Sequence, residues 1–496
     1  MLRVKRFLLP FLIVGVFVAG WILNGCVDYK NEDKIVEYTI SAQLNQDYTI
    51  NAKQQVLYTN NSQNFLNYVK FNLYPNAFKK DAKHSPINEV DKDNAFVNGP
   101  SYGEITISNL KVGETSLPVI LEGQDDNVLS VPVALEPTEQ VMISFDFFLV
   151  LPNIRFRYGY TDKSINLGQW YPMVAVLQNG HFVTEPYFSL GDPFLLEVAN
   201  YDIKLTTPPD YVLASSTSFE RKLIYQQNEA VLQFAMKGLR LREFAICLSN
   251  QFKVASKQVD GVNLLYYYYQ DEDFQKSLET ATLALLTFNE LYGLYPYNQL
   301  SVVQTTLING GMEYAGLVMI ADNLDRSAHL EVIVHEIAHQ WWYAVVGNDQ
   351  INHAWLDEGL AEYSTTIFFE KHTQFGISRK DRVAKAITTV CVFADSNGYG
   401  FGGKTIILDK PLNQFANGSE YVALVYAMGQ TMFDSLRTFV GEKVFFDALR
   451  VFYKDNMFDL VTPDYLIGAF EYSANRDLQT FFDGWLYGNN YLFVTN

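Results

Sequence analysis

The sequence predicts an α+β protein in which an amino-terminal antiparallel β domain precedes a mainly helical domain. Two patterns carry this reading. From about residue 35 to 255, apolar residues recur every second position, the period of a strand with unlike faces. After Asp260-Gly261 the spacing changes to the i, i+3, i+4 pattern of helices packed on a core. Composition agrees. The chain has 496 residues, 48% hydrophobic and 19% charged, which is enough to bury full cores and excludes a largely disordered chain. Three Cys exclude a disulfide framework. A net charge of −18 argues against binding nucleic acid or anionic lipid through a basic surface.

Taken in order, the first segment reads as an export signal. Arg3, Lys5 and Arg6 precede an uncharged run of 17 residues, Phe7 to Leu23. A basic start followed by an apolar stretch is the pattern of a targeting segment. Leu23-Asn24-Gly25-Cys26 resembles a bacterial lipobox, in which the Cys is lipidated. An uncleaved anchor and a soluble secreted form are the alternatives. Each places the folded part outside the cytoplasm, and the first two hold it on the outer face of a bacterial membrane. Residues 1–25 are thus expected to be signal or anchor, and 26–34 a polar tether. Cys247 and Cys391 lie in apolar settings and read as buried thiols.

Residues 35–257 are expected to form the β domain. Val69, Phe71 and Leu73 alternate with Tyr68, Lys70, Asn72 and Tyr74, and Val141, Ile143, Phe145 and Phe147 with Met142, Ser144, Asp146 and Phe148. Asn60-Asn61, Pro75-Asn76, Asn98-Gly99-Pro100 and Pro208-Pro209 punctuate the runs as turns. Residues 258–496 are expected to form the second domain. Helical spacing covers 272–292, with Gly293 as a stop. A strand is expected at Leu300–Thr306. Further helices are expected at about 327–346, 355–372, 421–440, 442–455 and 463–474, the last opened by Thr462-Pro463.

The segment His335-Glu336-Ile337-Ala338-His339 lies inside one of these apolar helical patterns. Histidines at i and i+4 share a helical face and can share an ion. The Glu between them suits a general base. Glu358 lies 19 positions after His339, at the start of the next helix. Two His and one Glu give zinc three protein ligands and leave a fourth position for water. Magnesium and calcium prefer all-oxygen sites. Glu362, one turn beyond Glu358, is a candidate to hydrogen-bond a metal-binding His, with Asp357 as its competitor.

These residues resemble the gluzincin zinc aminopeptidases, the family of aminopeptidase N and leukotriene hydrolase. Family members carry a His-Glu-x-x-His helix, then 18 residues, then a zinc-binding Glu in a Trp-Leu-x-Glu-Gly stretch, as in Trp355-Leu356-Asp357-Glu358-Gly359. Gly310-Gly311-Met312-Glu313-Tyr314 resembles the family's Gly-x-Met-Glu-Asn exopeptidase motif. Val425-Tyr426-Ala427-Met428-Gly429 resembles the segment with its catalytic tyrosine. Gln169-Trp170-Tyr171-Pro172 resembles a hallmark of its bacterial members. The resemblance runs from about residue 35 to the end.

It implies a thermolysin-like catalytic domain, one zinc ion on His335, His339 and Glu358, and Glu336 as the proton carrier. It implies that Tyr426 stabilises the oxyanion, and that Gly311, Met312 and Glu313 bind a peptide with a free amino terminus, Glu313 pairing with its α-ammonium. Two positions depart from the family pattern. Tyr314 replaces Asn and is expected to change the floor of the first substrate pocket. Met428 replaces Lys and is expected to loosen the Tyr426 alignment. Only 70 residues follow Tyr426, where long relatives add a helical domain, so the cleft is expected to be more open. The competing readings are a zinc endopeptidase or other hydrolase on the same scaffold, and a non-catalytic peptide-binding lipoprotein.

Overall fold

Alternation in the sequence becomes alternation of burial in space. In the strand Val36–Leu44 every second residue is buried, because successive side chains of a strand point to opposite faces. The structure is a computed structural model describing residues 35–226, 228–399 and 404–488. The expected export segment and tether, with Cys26, lie outside these residues.

Val36–Leu44 sits inside an eight-stranded sheet. Its order is Phe219–Gln226, Glu229–Leu241, Ala199–Thr207, Val36–Leu44, Thr49–Thr59, Gln140–Val150, Glu104–Val112 and Thr115–Ser116. The sheet is not wholly antiparallel as expected. Val36–Leu44 and Ala199–Thr207 run parallel, from Val36 opposite Ala199 to Gln43 opposite Thr206. A parallel neighbour needs a long crossover, and the chain between these two strands supplies it by building four more strands of the sheet, the whole of one four-stranded sheet and two strands of another. The Gln169-Trp170-Tyr171-Pro172 segment lies at the centre of this core. The Trp170 indole donates to the Phe244 carbonyl at 3.1 Å, and the Tyr171 hydroxyl donates to that of Tyr201 at 3.0 Å.

A five-stranded sheet follows, ordered Lys253–Val259, Val262–Tyr268, Gln299–Thr305, Leu317–Ala321 and Gly311–Met312. The boundary expected at 257/258 falls inside its first strand. Gly311–Met312 is an antiparallel edge strand. The expected strand at 300–306 is present at Gln299–Thr305. Leu317–Ala321 was not expected because all five of its residues are buried, and a strand covered on both faces shows no period of two.

Helices at Phe274–Leu291, Trp355–Lys371, Glu442–Asp455 and Pro463–Ala474 agree with the sequence pattern. Gln479–Leu486 is a further helix that was not expected, and three differences bear on the site. Arg379–Asn397 is helical although its apolar face is weak. Its ends are encoded: the Ser378 side chain accepts from the Asp381 amide, and Gly398 closes it at φ 71°. Within the expected helix at 421–440, Val422–Met428 is a π-helix that leads into Gly429–Val440. The helix expected to reach 346 ends at Ala338.

The last difference has a physical cause. Trp341 to Val346 is an apolar stretch that fills the core as a buried turn. Tyr343 takes a φ of 136°, which a helix forbids. The guanidinium of Arg242 donates to carbonyls of this turn and of the segments around it. It donates to Tyr343 at 2.7 Å and Val345 at 3.2 Å, and also to Leu196 at 2.8 Å and Asp459 at 3.2 Å. One buried Arg from the β domain thus replaces the helical partners of the turn behind His339.

Among the described residues no helix is long and apolar enough to cross a membrane. Arg242→Met should take the side-chain donor from the buried carbonyls of Tyr343 and Leu196 and cost about 3 kcal/mol or more. A drop in the urea midpoint measures it, and an unchanged midpoint would show that the turn holds itself.

Candidate active site

The helix Arg326–Ala338 starts on Asp325, whose side chain accepts from the Ala328 amide at 2.9 Å. It carries His335 and Glu336 and ends on His339 as its C-cap. The helix Trp355–Lys371 brings Glu358 and Glu362 alongside. His335 Nε2 lies 3.1 Å and His339 Nε2 3.2 Å from Glu358 Oε2. The two Nε2 atoms are 3.1 Å apart. The sequence therefore brings three ligand atoms to one point from positions 19 and 23 residues apart.

The opposite ring nitrogens are also engaged. His335 Nδ1 meets Glu362 Oε2 at 3.1 Å, and His339 Nδ1 meets the Trp342 carbonyl at 3.0 Å. These contacts aim both Nε2 atoms at the same place, as a metal site requires. Glu362, rather than Asp357, is the carboxylate that touches a histidine. Glu362 is itself held by Arg382, 2.6 Å away.

The charges favour a cation at this point. Burial opposes charge on His335, but hydrogen bonds and Coulombic attraction from Glu358 and Glu362 outweigh it and hold its pKa well above the ordinary value. Burial likewise opposes charge on His339, and Glu358 carries its pKa to about 10. Burial raises the pKa of Glu358, yet the two histidines bring it far below the carboxylate range. The cluster attracts positive charge, and its two-nitrogen, one-oxygen donor set suits zinc.

Glu336 is buried, and its Oε2 has no hydrogen-bond partner among the described residues. Burial raises its pKa to about 7, with Glu358 and Asp192 adding to the rise and the two histidines opposing it. Gly311 passes directly against it. A Cβ at Gly311 would stand 2.2 Å from Glu336 Oε1, so a side chain there would displace the carboxylate.

Glu313 follows the edge strand and lines the same cleft of about 570 Å³. Its Oε1 accepts from Gln350 Nε2 at 2.8 Å. Burial first, then repulsion from Asp192, hold its pKa well above the carboxylate range. Met312 is buried, and its Sδ meets Arg157 Nη1 at 3.2 Å, so its side chain faces a guanidinium. Tyr426 lies in the π-helix, and its hydroxyl donates to Glu358 Oε1 at 2.6 Å. Its ring stacks 5.9 Å from that of His335. Tyr421 packs edge-on against Tyr426 and also lines the cleft.

One expectation is corrected. Tyr314 does not form a pocket floor. It is fully buried, its hydroxyl donates to Gln169 Oε1 at 3.0 Å, and it fills the space beside Gly168 inside the β domain. Met428 is fully buried and packs in the core.

Sequence reasoning missed Arg157, Asp192, Gln350 and Arg382. Asp192 lies in a Gly-Asp-Pro turn that reads as loop, and Arg157 pairs with it in the cleft wall. Arg382 belongs to the unexpected helix. The capping pattern at Ser378 was the available signal for that helix.

Residues 276–485 match the peptidase family M1 domain. Aminopeptidase N of Streptomyces lividans is 28% identical over 223 residues, 40% of this chain and 24% of that one. Aminopeptidase N of Acetobacter pasteurianus is 24% identical over 181 residues, 33% of this chain and 51% of that one. The matched part thus spans between a quarter and a half of these relatives' own length. The crystal structure of an M1 zinc metallopeptidase from Deinococcus radiodurans superposes with a TM-score of 0.62, covering 91% of this chain and 94% of that one at 14% identity. That likeness is one of fold.

Glu362→Ala should weaken zinc binding about 10- to 100-fold, because His335 loses the group that orients it. Competition with a chromogenic chelator measures the affinity, and unchanged affinity would remove Glu362 from the site.

Proposed function

We propose that this chain, which belongs to the gluzincin, aminopeptidase N-like metallopeptidases, is an aminopeptidase that removes residues from the free amino terminus of peptides. Peptidases of family M1 are zinc-dependent hydrolases, and the chain presents the His-His-Glu group such an ion needs. The observation that carries the finer reading is Glu313. It is a buried carboxylate in the wall of the cleft that also holds His335, Glu336, His339 and Glu358. A buried carboxylate is stable as an ion only opposite a cation, and the α-ammonium of a peptide is such a cation.

His335, His339 and Glu358 hold the zinc, which when bound lowers the pKa of a water and polarises a carbonyl. Glu336 accepts the proton of the attacking water at its unpartnered Oε2 and returns it to the departing amine. A pKa near 7 suits a group that must both take and give a proton. Tyr426 turns its hydroxyl from Glu358 towards the oxygen that gains charge as the carbonyl becomes tetrahedral. Glu313 holds the α-ammonium and so selects the first peptide bond. The edge strand Gly311–Met312 offers backbone groups to an extended substrate.

Turnover of an aminoacyl arylamide should vanish with a chelator and return with zinc. Acetylating the substrate's amine should stop it. Equal cleavage of free and blocked substrates would turn the reading to an endopeptidase. Glu336→Gln should keep the metal and lose most turnover, so metal content and rate are measured together. Tyr426→Phe should lower kcat by about 100- to 1000-fold, the effect of losing one oxyanion donor, and leave KM nearly unchanged. A change confined to KM would assign Tyr426 to binding.

A further inference from the structure

The proposed amine anchor and the metal ligands stand on different elements. Glu313 follows the edge strand of the five-stranded sheet, whereas Glu358 stands on the helix Trp355–Lys371. An enzyme that cleaves one residue in from the amine must keep the distance between them fixed. A glutamate has three side-chain torsions, so its carboxylate stays in place only where something holds it.

The holding group is a single amide. Gln350 Nε2 donates to Glu313 Oε1 at 2.8 Å and, with its second hydrogen, to Asp357 Oδ2 at 2.8 Å. Asp357 immediately precedes Glu358, and its other oxygen accepts from Asn348 Nδ2 at 2.9 Å. Both neighbours of the amide nitrogen are carboxylate oxygens, which assigns the NH2 group to that side. Gln350 is 1% exposed, so these bonds form out of reach of solvent. The loop around it is stiffened by Asp349 Oδ1, which accepts from the amides of Ile351 and Asn352, each at 3.1 Å.

The backbone of the Glu313 loop has its own supports. Gln340 Nε2 donates to the carbonyls of Glu313 at 3.3 Å and Tyr314 at 3.1 Å, and Gln340 Oε1 accepts from the Gly316 amide at 2.9 Å. Glu243 accepts from the Ala315 amide at 2.6 Å. Removing the Gln350 amide therefore frees the carboxylate while the loop stays anchored.

We infer that Gln350 is a positioning residue that ties the Glu313 carboxylate to the start of the metal-binding helix and thereby sets the one-residue register of cleavage. The register rests on the aminopeptidase reading above, whereas the tie between Glu313 and the helix does not.

The test compares wild type, Gln350→Met, Glu313→Gln and the double variant as full-length, zinc-loaded enzymes. Each is assayed on an aminoacyl arylamide with its amine free or acetylated. Gln350→Met should shrink the preference for the free amine about 10- to 100-fold, mainly through KM, the range for losing a hydrogen bond to a charged group. Zinc affinity should not change. In the double variant the Gln350 substitution should add little to the Glu313 loss, since both act through one carboxylate.

Additive losses, or an unchanged preference, would overturn the assignment. Should Gln350→Met fail to fold, Gln350→Ala removes both donors without adding charge and should show the same loss. A crystal structure of the folding variant gives a reading free of activity. A displaced Glu313 carboxylate supports the role and an unmoved one overturns it. If wild type itself ignores the amine, the aminopeptidase reading fails, and the position of Glu313 still decides the role of Gln350.

Discussion

The site depends on one electrostatic constraint: six carboxylates are packed about the end of one helix and must be balanced. Asp192, Glu313, Glu336, Asp357, Glu358 and Glu362 are largely or wholly withdrawn from solvent around His335 and His339. Two of the six have resident cations, Arg157 for Asp192 and Arg382 for Glu362. The remaining negative charge is shared by four groups that face the two histidines or the cleft. Burial of unpaired charge is costly enough that such groups normally take up protons, and the upward shifts of Glu313, Glu336 and Asp357 express that cost. A divalent ion on Glu358 and an ammonium on Glu313 would supply the missing charge. The site thus asks for its metal and its substrate in the same currency.

The fold meets the constraint by bringing distant elements into very close approach at glycines. A Cβ at Gly429 would stand 3.0 Å from the Gly359 Cα, so the helices on either side touch through their backbones. Gly359 directly follows Glu358, and Gly429 lies three residues after Tyr426. That contact allows the Tyr426 hydroxyl to reach Glu358. Gly311 does the same for Glu336. In both places the glycine is needed for space rather than for an unusual backbone angle, since neither takes a positive φ.

Much of this was legible in the sequence because the metal ligands share a short helical spacing. His335 and His339 are four apart, and Glu358 lies in the first turn of the next helix. The β domain was legible because one face of its large sheet is more exposed than the other. The unreadable parts share a cause. Leu317–Ala321 and Trp341–Val346 are buried on every side, so no polar face marks their geometry. Arg157, Asp192 and Gln350 act through contacts made across 35 to 155 residues, which no local pattern reports. Tyr314 misled for a related reason. Its place in a motif suggested the pocket, but its side chain packs beside Gly168, where its hydroxyl donates to Gln169 Oε1.

The π-helix at Val422–Met428 brings these points together. A π turn holds one more residue than an α turn and is tolerated where a side chain must be re-aimed. Here the re-aimed side chain is Tyr426. Its hydroxyl bonds the same Glu358 that faces both histidines, yet to the other oxygen, Oε1 rather than Oε2. Glu358 can therefore keep Oε2 towards the histidines while Tyr426 occupies Oε1. A phenol placed this way stands beside both Glu358 and His335. The Gly359–Gly429 contact packs the end of the π turn against the Glu358 helix. Met428 at the end of the π turn is buried and apolar. The aim of Tyr426 is fixed by backbone contact and by Glu358, and neither depends on a charge at position 428.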